Sequence, residues 1–295
     1  PSLSIQDACA RRDLTMNAMA IDLHTMELYD PFDGRQDVEK KVLRTPNPDF
    51  FIQDPLRFYR VMQFISRFDM YPDEQLYEVC RHMSLAGVSV ERIEQEFKKM
   101  LLKSKRPSLG IRWLKDIARL PEVMPELAST IGVKQPHEWH REGDVFEHSM
   151  QTLDAAAALT YDSSDQRLIM LYAALCHDLG KVVTTVFDQE KGRITSYGHD
   201  EAGVPLARAL LQRITKNKEV IETVEKLVRY HMMPLEFYDG GARSAAYKRL
   251  AYKLASHVTM EMLAKLALAD LRGTNGQGHQ PLTSSYEAID QFIAK

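Results

Sequence analysis

The chain is poor in cysteine, and the three cysteines that it has are widely spaced. Cys9, Cys80 and Cys176 show no Cys-x-x-Cys spacing and are too few for a disulfide framework. A secreted fold held together by disulfides is therefore not expected. A reducing, cytosolic compartment is expected instead.

Long hydrophobic runs are also missing. No apolar stretch approaches the roughly 18 residues that a membrane-spanning helix needs, and no signal peptide is visible. We therefore expect no membrane partner. We find neither an internal repeat nor a low-complexity tract. The chain begins at Pro1 without an initiator methionine, so we expect a fragment of a longer protein.

What is present is the composition of a globular protein. The 295 residues, of which 44% are hydrophobic and 27% charged, suffice for one large domain or for two. The net charge of -3 conceals a basic segment between Glu91 and Arg119, which has nine Lys or Arg against four Asp or Glu. This segment favours a polyanionic partner for one region only, although a solvated helix face explains it equally well.

The residue pattern predicts a mainly α fold with a short α/β remnant at its start. Two short strands are expected at 16–23 and 27–29. Asp54 and Pro55 are typical of a helix start, and apolar residues then recur at helical spacing. The predicted helices begin at Asp54 and near Ile93 and then cover 109–120, 145–160, 165–178, 200–214, 218–232, 243–256, 259–272 and 284–294. Prolines break the segment 121–143, which is the best candidate for a domain boundary.

The pair His177 and Asp178 directly follows an apolar predicted helix. Charged groups are rarely buried in such a place unless they are paired or bind a metal, and imidazole nitrogen with carboxylate oxygen is a ligand set for a divalent cation. Similar residues occur on neighbouring predicted helices, and the candidate ligands are His148, His177, Asp178, His199, His231 and Asp270. Adjacent helical residues diverge by about 100°, so a metal that contacts both His177 and Asp178 must lie between helices.

This ligand order resembles the HD phosphohydrolase superfamily. The family pattern of His, His-Asp and Asp is matched by His148, His177, Asp178 and Asp270, and two further histidines, His199 and His231, stand where members that hold two metals place theirs. The resemblance implies metal-assisted hydrolysis of phosphate esters, with His177, Asp178 and Lys181 as catalytic residues. Lys181 would contact the substrate phosphate as a point charge. A histidine-rich set fits Mn, Ni, Fe, Co or Zn.

Three residues near this set receive a weaker interpretation. His137 and His140 flank Trp139 in a predicted loop and are weaker ligand candidates. Gly180 is expected only to let the preceding helix end.

The first third of the chain carries arginines beside aspartates. Arg12 and Asp13 could serve a triphosphate and a ribose, since a guanidinium grips phosphate oxygens in bidentate fashion. Asp54, Arg57 and Arg60 recur one helical turn apart, away from the apolar stripe. An acceptor and a donor at this spacing could read the edge of a base, but an N-cap carboxylate with an i,i+3 ion pair accounts for it equally well.

Four segments of this region resemble the motifs of class II tRNA nucleotidyltransferases, the CCA-adding enzymes, and of the related bacterial poly(A) polymerases. Residues 11–20 are similar to the Arg-Arg-Asp motif of that family, and residues 30–44 to the flexible motif that follows it. Residues 53–68 are similar to the nucleotide-selecting motif and residues 91–99 to the next one. With the HD pattern behind these motifs, the whole chain resembles bacterial CCA-adding enzymes that have a C-terminal HD domain.

The resemblance assigns nucleotide binding to Arg12, Asp13, Asp54, Arg57 and Arg60. Asp54 and Arg57 would read the base of the incoming CTP or ATP, while the other three would contact sugar or phosphates. Arg92 and Glu96 would brace the reading helix, and the basic face of 91–119 would follow the acceptor stem of tRNA. The partners implied are therefore tRNA, CTP, ATP and phosphate-ester substrates.

The sequence departs from the family pattern in three places. Gln53 replaces the usual glutamate, and Gln63 stands at the third arginine position. The Gly-Ser turn and the Asp-x-Asp pair, which hold two magnesium ions in the family, belong upstream of Arg11 and do not occur in this chain. By itself this chain is therefore not expected to polymerise nucleotides.

The expected organisation has three parts. Residues 1–50 would be the remnant of a nucleotidyltransferase head, 51–125 a helical neck that selects nucleotides and binds RNA, and 126–295 an all-helical, metal-dependent HD domain. Two alternatives stay open: a stand-alone HD phosphohydrolase with a vestigial RNA-binding module, and a poly(A) polymerase relative that uses ATP only. The sequence leaves the oligomeric state open.

Overall fold

A computed structural model describes residues 3–136, 140–274 and 283–294, and it confirms the mainly α fold. The chain divides into two compact units, Pro1–Arg119 and Leu120–Lys295. Among the described residues, no helix is both long enough and apolar enough to cross a membrane.

The first unit combines helices with very short strands. Its helices are α1 (Ile5–Ala10), α2 (Gly34–Lys40), α3 (Pro48–Phe51), α4 (Leu56–Phe68), α5 (Glu74–His82), α6 (Val90–Lys103) and α7 (Ser108–Asp116). Its strands are β1 (Ala20–Ile21), β2 (Leu28–Tyr29), β3 (Val42–Leu43) and β4 (Tyr71–Pro72). β1 pairs with β2 in antiparallel register, and β3 pairs with β4 in parallel register.

The predicted strand at 16–23 is confirmed only at its centre. Residues Thr15–Asn17 form a turn of 3-10 helix instead of a strand. The buried Thr15 hydroxyl donates a 2.6 Å hydrogen bond to the Asp37 carboxylate, and this tertiary contact is not visible in a period-2 pattern. The strand predicted at 27–29 is present as β2.

The helix α4 organises the core of the first unit. Four members of its apolar stripe, Phe58, Val61, Met62 and Ile65, are almost fully enclosed as the spacing predicts, whereas the fifth, Phe68 at the end of the helix, is 42% exposed. α4 packs on α6 and α7. Its polar face is thereby left for the side chains that the sequence assigned to nucleotides.

The second unit is a cluster of helices with one small hairpin. Its helices are α8 (Leu120–Val123), α9 (Pro125–Ala128), α10 (Val145–Ala157), α11 (Ser164–Cys176), α12 (Lys181–Thr184), α13 (His199–Ile214), α14 (Lys218–Tyr230), α15 (Met233–Asp239), α16 (Ser244–Leu254), α17 (Met260–Gly273) and α18 (Thr283–Ala294). The antiparallel hairpin consists of β5 (Val186–Asp188) and β6 (Arg193–Thr195).

α11 is the central helix of this unit. Its residues from Met170 to Cys176 are all buried, because α10, α13, α14 and α17 pack around it. Side-chain caps define where the surrounding helices begin: Asp144, Asn217 and Thr259 each accept a hydrogen bond from a backbone N–H of the first turn. The helix turns and helix ends that carry the candidate ligands lie in one region of the unit.

Candidate functional site

The six predicted metal ligands come together in the second unit. His148 lies in the first turns of α10, and Asp270 lies late in α17. The other four stand at helix ends: His177 and Asp178 directly follow α11, His199 opens α13, and His231 follows α14. The sequence prediction that the set would converge from different helices is confirmed.

One half of the set surrounds the Oδ2 atom of Asp178. The Nε2 atoms of His148 and His177 lie 3.5 and 3.4 Å from it, and they lie 3.2 Å from each other. Asp270 closes this group, since its Oδ1 atom is 2.8 Å from the His148 Nε2 atom and 3.5 Å from that of His177. Three of these side chains, His148, His177 and Asp178, can offer one ligand atom each to a single ion, and Asp270 lies against the two histidines.

The other half surrounds the second oxygen of the same aspartate. Asp178 Oδ1 lies 3.3 Å from the His199 Nε2 atom and 4.0 Å from the His231 Nε2 atom. The two histidine nitrogens are 3.1 Å apart. Asp178 thus presents one oxygen to each half of the set.

Hydrogen bonds fix which ring nitrogen of each histidine carries the proton. The Nδ1 atoms of His177, His199 and His231 lie within 2.9 Å of the carbonyl oxygens of Ala174, Ser196 and Val228. A carbonyl oxygen only accepts hydrogen bonds, so each Nδ1 atom donates a proton and each neutral ring directs the lone pair of Nε2 inward.

The resulting centre places acceptor atoms against acceptor atoms. In neutral rings the His199 and His231 Nε2 lone pairs face each other without a proton to share, and both face a carboxylate oxygen. Such an arrangement is stabilised by a cation, and the donor set of imidazole and carboxylate suits a divalent metal. The residues present therefore fit the metal that the HD pattern implies.

The electrostatics of the centre agree with a cation site. Burial lowers the pKa of His177, but the charges of Asp178 and Asp270 outweigh burial and raise it to about 10. For His231, burial and the neighbouring histidines outweigh the charges of Asp178 and Asp270 and lower its pKa to about 4. Burial opposes ionisation of Asp178 and Asp270 as well, yet the positive histidines hold both pKa values well below the ordinary range.

Lys181 lies beside the centre rather than apart from it. Its Nζ atom is 2.6 Å from Asp178 Oδ2 and donates a 2.8 Å hydrogen bond to the side-chain oxygen of Gln135. The lysine thus neutralises charge on the shared aspartate. Gln135 is a contact that the sequence did not indicate, because it stands 46 residues earlier in the chain.

Two glycines set the helix spacing around the centre. A Cβ atom on Gly180 would stand 1.9 Å from the His199 carbonyl oxygen, and one on Gly273 would stand 2.2 Å from the Thr152 hydroxyl oxygen. Gly180 has an ordinary right-handed helical conformation, so the interpretation that it only lets the helix end is wrong. Its hydrogen side chain allows His199 to approach Asp178.

The sequence also missed Glu142, which joins two histidines. Its fully buried carboxylate oxygen Oε1 lies 2.7 Å from His140 Nδ1 and 3.0 Å from His148 Nδ1. His140 therefore lies next to the centre, whereas the other weak candidate, His137, lies outside the described residues. A lone glutamate in a loop carries no pattern that distinguishes it from a solvated one.

In the first unit, the five predicted nucleotide contacts fall into two groups. Asp13 and Arg60 form a buried ion pair at 2.5 Å, and the Arg12 side chain donates to the Asn17 carbonyl oxygen. The other group is centred on Asp54 and Arg57, which lie one helical turn apart.

Asp54 and Arg57 do not form the ion pair with each other that their spacing allowed. Asp54 instead binds Arg92 of α6, with 2.9 Å between the closest nitrogen and oxygen. Arg57 donates to the carbonyl oxygens of Phe50 and Arg11, and its pKa is lowered mainly because its guanidinium is partly buried. Both side chains are thus held by groups far from them in the sequence.

Comparisons with family models agree with both parts of the chain. The model described as HD domain matches residues 145–268. The model described as poly A polymerase head domain matches residues 2–44.

Curated relatives match most of the chain. The chain is 37% identical over 238 residues to the multifunctional CCA protein of Legionella pneumophila (strain Paris), which is 78% of this chain and 55% of that protein. It is 33% identical over 292 residues to the multifunctional CCA protein of Alkalilimnicola ehrlichii, which is 95% of this chain and 67% of that protein. The chain thus spans about half the length of the first of these relatives and two thirds of the second.

Solved structures share the fold. The Thermotoga maritima CCA-adding enzyme complexed with tRNA matches with a TM-score of 0.58 and 18% identity, over 98% of this chain and 60% of that one. A CCA-adding enzyme in complex with ATP matches with a TM-score of 0.57 and 18% identity, over 98% of this chain and 59% of that one. At this identity the likeness concerns the fold alone.

Proposed function

The chain belongs to the multifunctional CCA protein family, and from this premise we propose that it contributes nucleotide selection and a phosphohydrolase to a tRNA 3′-end CCA-adding enzyme. The four motifs of the first unit and the metal-ligand set of the second support the two parts of the proposal. The proposed organisation is a head remnant at 1–50, a neck at 51–125 and an HD domain at 126–295. Addition of CTP and ATP to tRNA would belong to the protein that also has the Asp-x-Asp head with its magnesium ions.

For the first unit, we propose that Asp54 and Arg57 read the base of CTP or ATP. The contacts of Arg57 with the Phe50 and Arg11 carbonyl oxygens use two of its N–H groups, and a guanidinium has five donors. Donors therefore stay available for a base. Arg92 holds the Asp54 carboxylate in place, which supports the predicted bracing role of α6.

Arg12, Asp13 and Arg60 are the proposed sugar and phosphate contacts. The Asp13–Arg60 ion pair is largely buried, so the pair presents a fixed acceptor and donor instead of two mobile side chains. Arg12 stands next to it in the sequence and is exposed, which suits contact with a triphosphate.

For the second unit, the proposed reaction is metal-dependent hydrolysis of phosphate esters, with 2′,3′-cyclic and 2′-phosphate esters as substrates. One metal would be held by His148, His177, Asp178 and Asp270, and a second by Asp178, His199 and His231. A bound metal of this class lowers the pKa of a bound water and neutralises charge on phosphoryl oxygens. Mn, Ni, Fe, Co and Zn all suit these ligands.

The residues of this chain would orient and shield that chemistry. The backbone carbonyl contacts hold three imidazole rings in the tautomer that binds metal. Lys181 balances the charge of the shared aspartate and is the proposed contact for the substrate phosphate. The most exposed ligands are Asp270, with 21% of its side chain accessible, and His199, with 11%, so substrate would approach from their side.

The single observation that carries the hydrolase proposal is the convergence of four imidazole Nε2 atoms on the two oxygens of one buried aspartate. Its test is a titration of the metal-free chain with Mn²⁺, Ni²⁺, Co²⁺ or Zn²⁺, followed by assays on 2′,3′-cyclic AMP and 2′-AMP. We expect metal-dependent hydrolysis that Asp178→Asn abolishes. Full activity of Asp178→Asn in the presence of metal would show that the site is assigned wrongly.

A further inference from the structure

We propose that Glu142 is a positioning residue for the metal centre, and that its carboxylate holds His148 with the Nε2 lone pair directed at the metal. This inference rests on the proposed metal-dependent function of the second unit. It adds a residue that neither the HD ligand pattern nor the sequence motifs include.

The geometry around Glu142 fixes the proton on both neighbouring rings. The Glu142 side chain is fully buried, and its Oε1 atom lies 3.0 Å from His148 Nδ1 and 2.7 Å from His140 Nδ1. An ionised carboxylate only accepts hydrogen bonds, so both Nδ1 atoms donate to it. The His148 Nε2 atom then has a free lone pair, and this is the atom that faces His177 and Asp270.

His148 needs such a partner because it lies inside a helix. The other three histidines stand at helix ends, where the carbonyl three residues earlier is available to the ring. The carbonyl one turn before His148 belongs to Asp144, and it accepts the backbone N–H of His148 itself. The Val145 carbonyl accepts the Ser149 hydroxyl. Both carbonyls thus already accept another donor, and the Glu142 carboxylate supplies the acceptor for the His148 ring.

The contacts of Glu142 differ from those of a further metal site. His140, Glu142 and His148 are close enough to share an ion. However, both contacts of Glu142 Oε1 pair an N–H donor with this acceptor, so hydrogen bonds satisfy Oε1 without a cation. The inner contact between the Nε2 atoms of His199 and His231 has no such donor when both rings are neutral. Glu142 thus belongs to the shell that orients the ligands.

The second oxygen of Glu142 argues against a purely structural role. Among the described residues, its Oε2 atom is buried without a hydrogen-bond partner, and an unsatisfied buried carboxylate oxygen costs free energy. Folding alone would be served better by a smaller or neutral side chain. His140 packs edge to face on His148, with 4.8 Å between ring centroids.

The test is a Co²⁺ titration of the metal-free chain, followed by visible absorption and by calorimetry, for the wild type, Glu142→Gln and Glu142→Leu. Loss of an orienting partner typically weakens metal binding by about 10–100-fold, so we expect that loss for Glu142→Leu and a smaller one for Glu142→Gln. Only the Co²⁺ affinity of the site that includes His148 should change. The site that includes His199 and His231 should keep its affinity.

Two control variants separate positioning from general damage. Glu147→Gln removes a neighbouring carboxylate that contacts Gln151 and should leave both affinities unchanged. His140→Ala keeps the contact between Glu142 and His148 and should keep Co²⁺ affinity within about 3-fold, a smaller change than the roughly 10–100-fold loss expected for an orienting partner. If His140→Ala weakens binding as much as Glu142→Leu does, anchoring of the loop explains the effect and the proposal is overturned.

The remaining outcomes are distinguishable as well. If wild-type protein binds no Co²⁺, the proposed metal-dependent function fails. If wild-type protein binds Co²⁺ and Glu142→Leu binds it equally well with an unchanged spectrum, only the positioning role fails. A lower melting temperature of metal-free Glu142→Leu with unchanged affinity would also overturn it, because that pattern describes a structural residue.

Discussion

Gly273 of α17 lies against Thr152 of α10, so close that a Cβ atom on the glycine would stand 2.2 Å from the threonine hydroxyl oxygen and 2.8 Å from its backbone nitrogen. Thr152 is one turn after His148, and Gly273 is almost one turn after Asp270. The close approach of the two helices at this point therefore brings one histidine ligand next to one aspartate ligand.

We predict that Gly273→Ala destabilises the second unit. The added methyl group meets backbone atoms, which cannot move aside as a flexible side chain can, and overpacking of this kind costs about 1–3 kcal/mol. The measurement is thermal unfolding of the metal-free chain. Gly203→Ala is the matched control, because its Cβ atom would meet its nearest neighbours only at 3.2 and 3.3 Å. Equal stability of the two variants would contradict the prediction.

Gly180→Ala should affect the second half of the metal set in particular. A Cβ atom there would stand 1.9 Å from the His199 carbonyl oxygen and 2.6 Å from the Gly203 nitrogen. The start of α13 must move away, and His199 moves with it. We expect loss of one metal equivalent per chain, measured by metal analysis after dialysis, while metal at His148 and His177 is retained. Retention of both equivalents would contradict this role of Gly180.

The ligands could be predicted from sequence, whereas most of their supports could not. His148, His177 and Asp270 follow the order of the HD ligand pattern, and this order is visible in one dimension. The contact of Gly180 with His199 depends on the distance between two helix axes. The contact of Glu142 with His148 depends on the path of a loop. Neither quantity leaves a periodic signal in the chain.

In the first unit, too, the sequence predicts the helices better than the contacts of their side chains. The helix α4 follows from its apolar stripe, but the partner of Asp54 does not. Spacing favoured Arg57, one turn away, whereas the structure pairs Asp54 with Arg92, 38 residues later. The helix α5 was not predicted, although the Asp73 carboxylate caps its first turn. Its nine residues are too few for a clear periodic signal.

The stability of the metal-free second unit should be greatest near pH 6.5. The pKa of His177 is raised to about 10 from its ordinary 6.5. Between these values the folded state binds the extra proton, so stability falls as pH rises. The pKa of His231 is lowered to about 4. Below pH 6.5 the unfolded state therefore binds the extra proton, and stability falls as pH decreases.

The measurement is the melting temperature of the chelator-treated protein between about pH 4 and pH 10. The transition to follow is the one that shifts when metal is added. Metal must displace the proton of His177 to use its Nε2 atom, so the rise in melting temperature on adding Mn²⁺ should grow between pH 6.5 and 10. A melting temperature of the metal-free protein that increases steadily through this interval would contradict the assignment of the raised pKa to His177.

Arg57→Lys should weaken the use of CTP and of ATP together, in a protein that also includes the catalytic Asp-x-Asp head. The guanidinium of Arg57 reaches the carbonyl oxygens of Phe50 and Arg11 with two different nitrogens. A lysine ammonium keeps the charge but loses this planar fork of donors, so the remaining donors no longer face a base in a fixed orientation.

The expected loss is about 10–100-fold in kcat/KM for each nucleotide, which corresponds to about 1.4–2.8 kcal/mol of transition-state stabilisation. The control is Arg35→Lys, because Arg35 is exposed and its side chain pairs with Glu39 one turn away. That variant should keep both activities, and Arg57→Lys should keep the hydrolase activity of the second unit. Loss of CTP use with retention of ATP use would mean that Arg57 reads one base only. Unchanged kinetics for both nucleotides would show that Arg57 does not read the base together with Asp54.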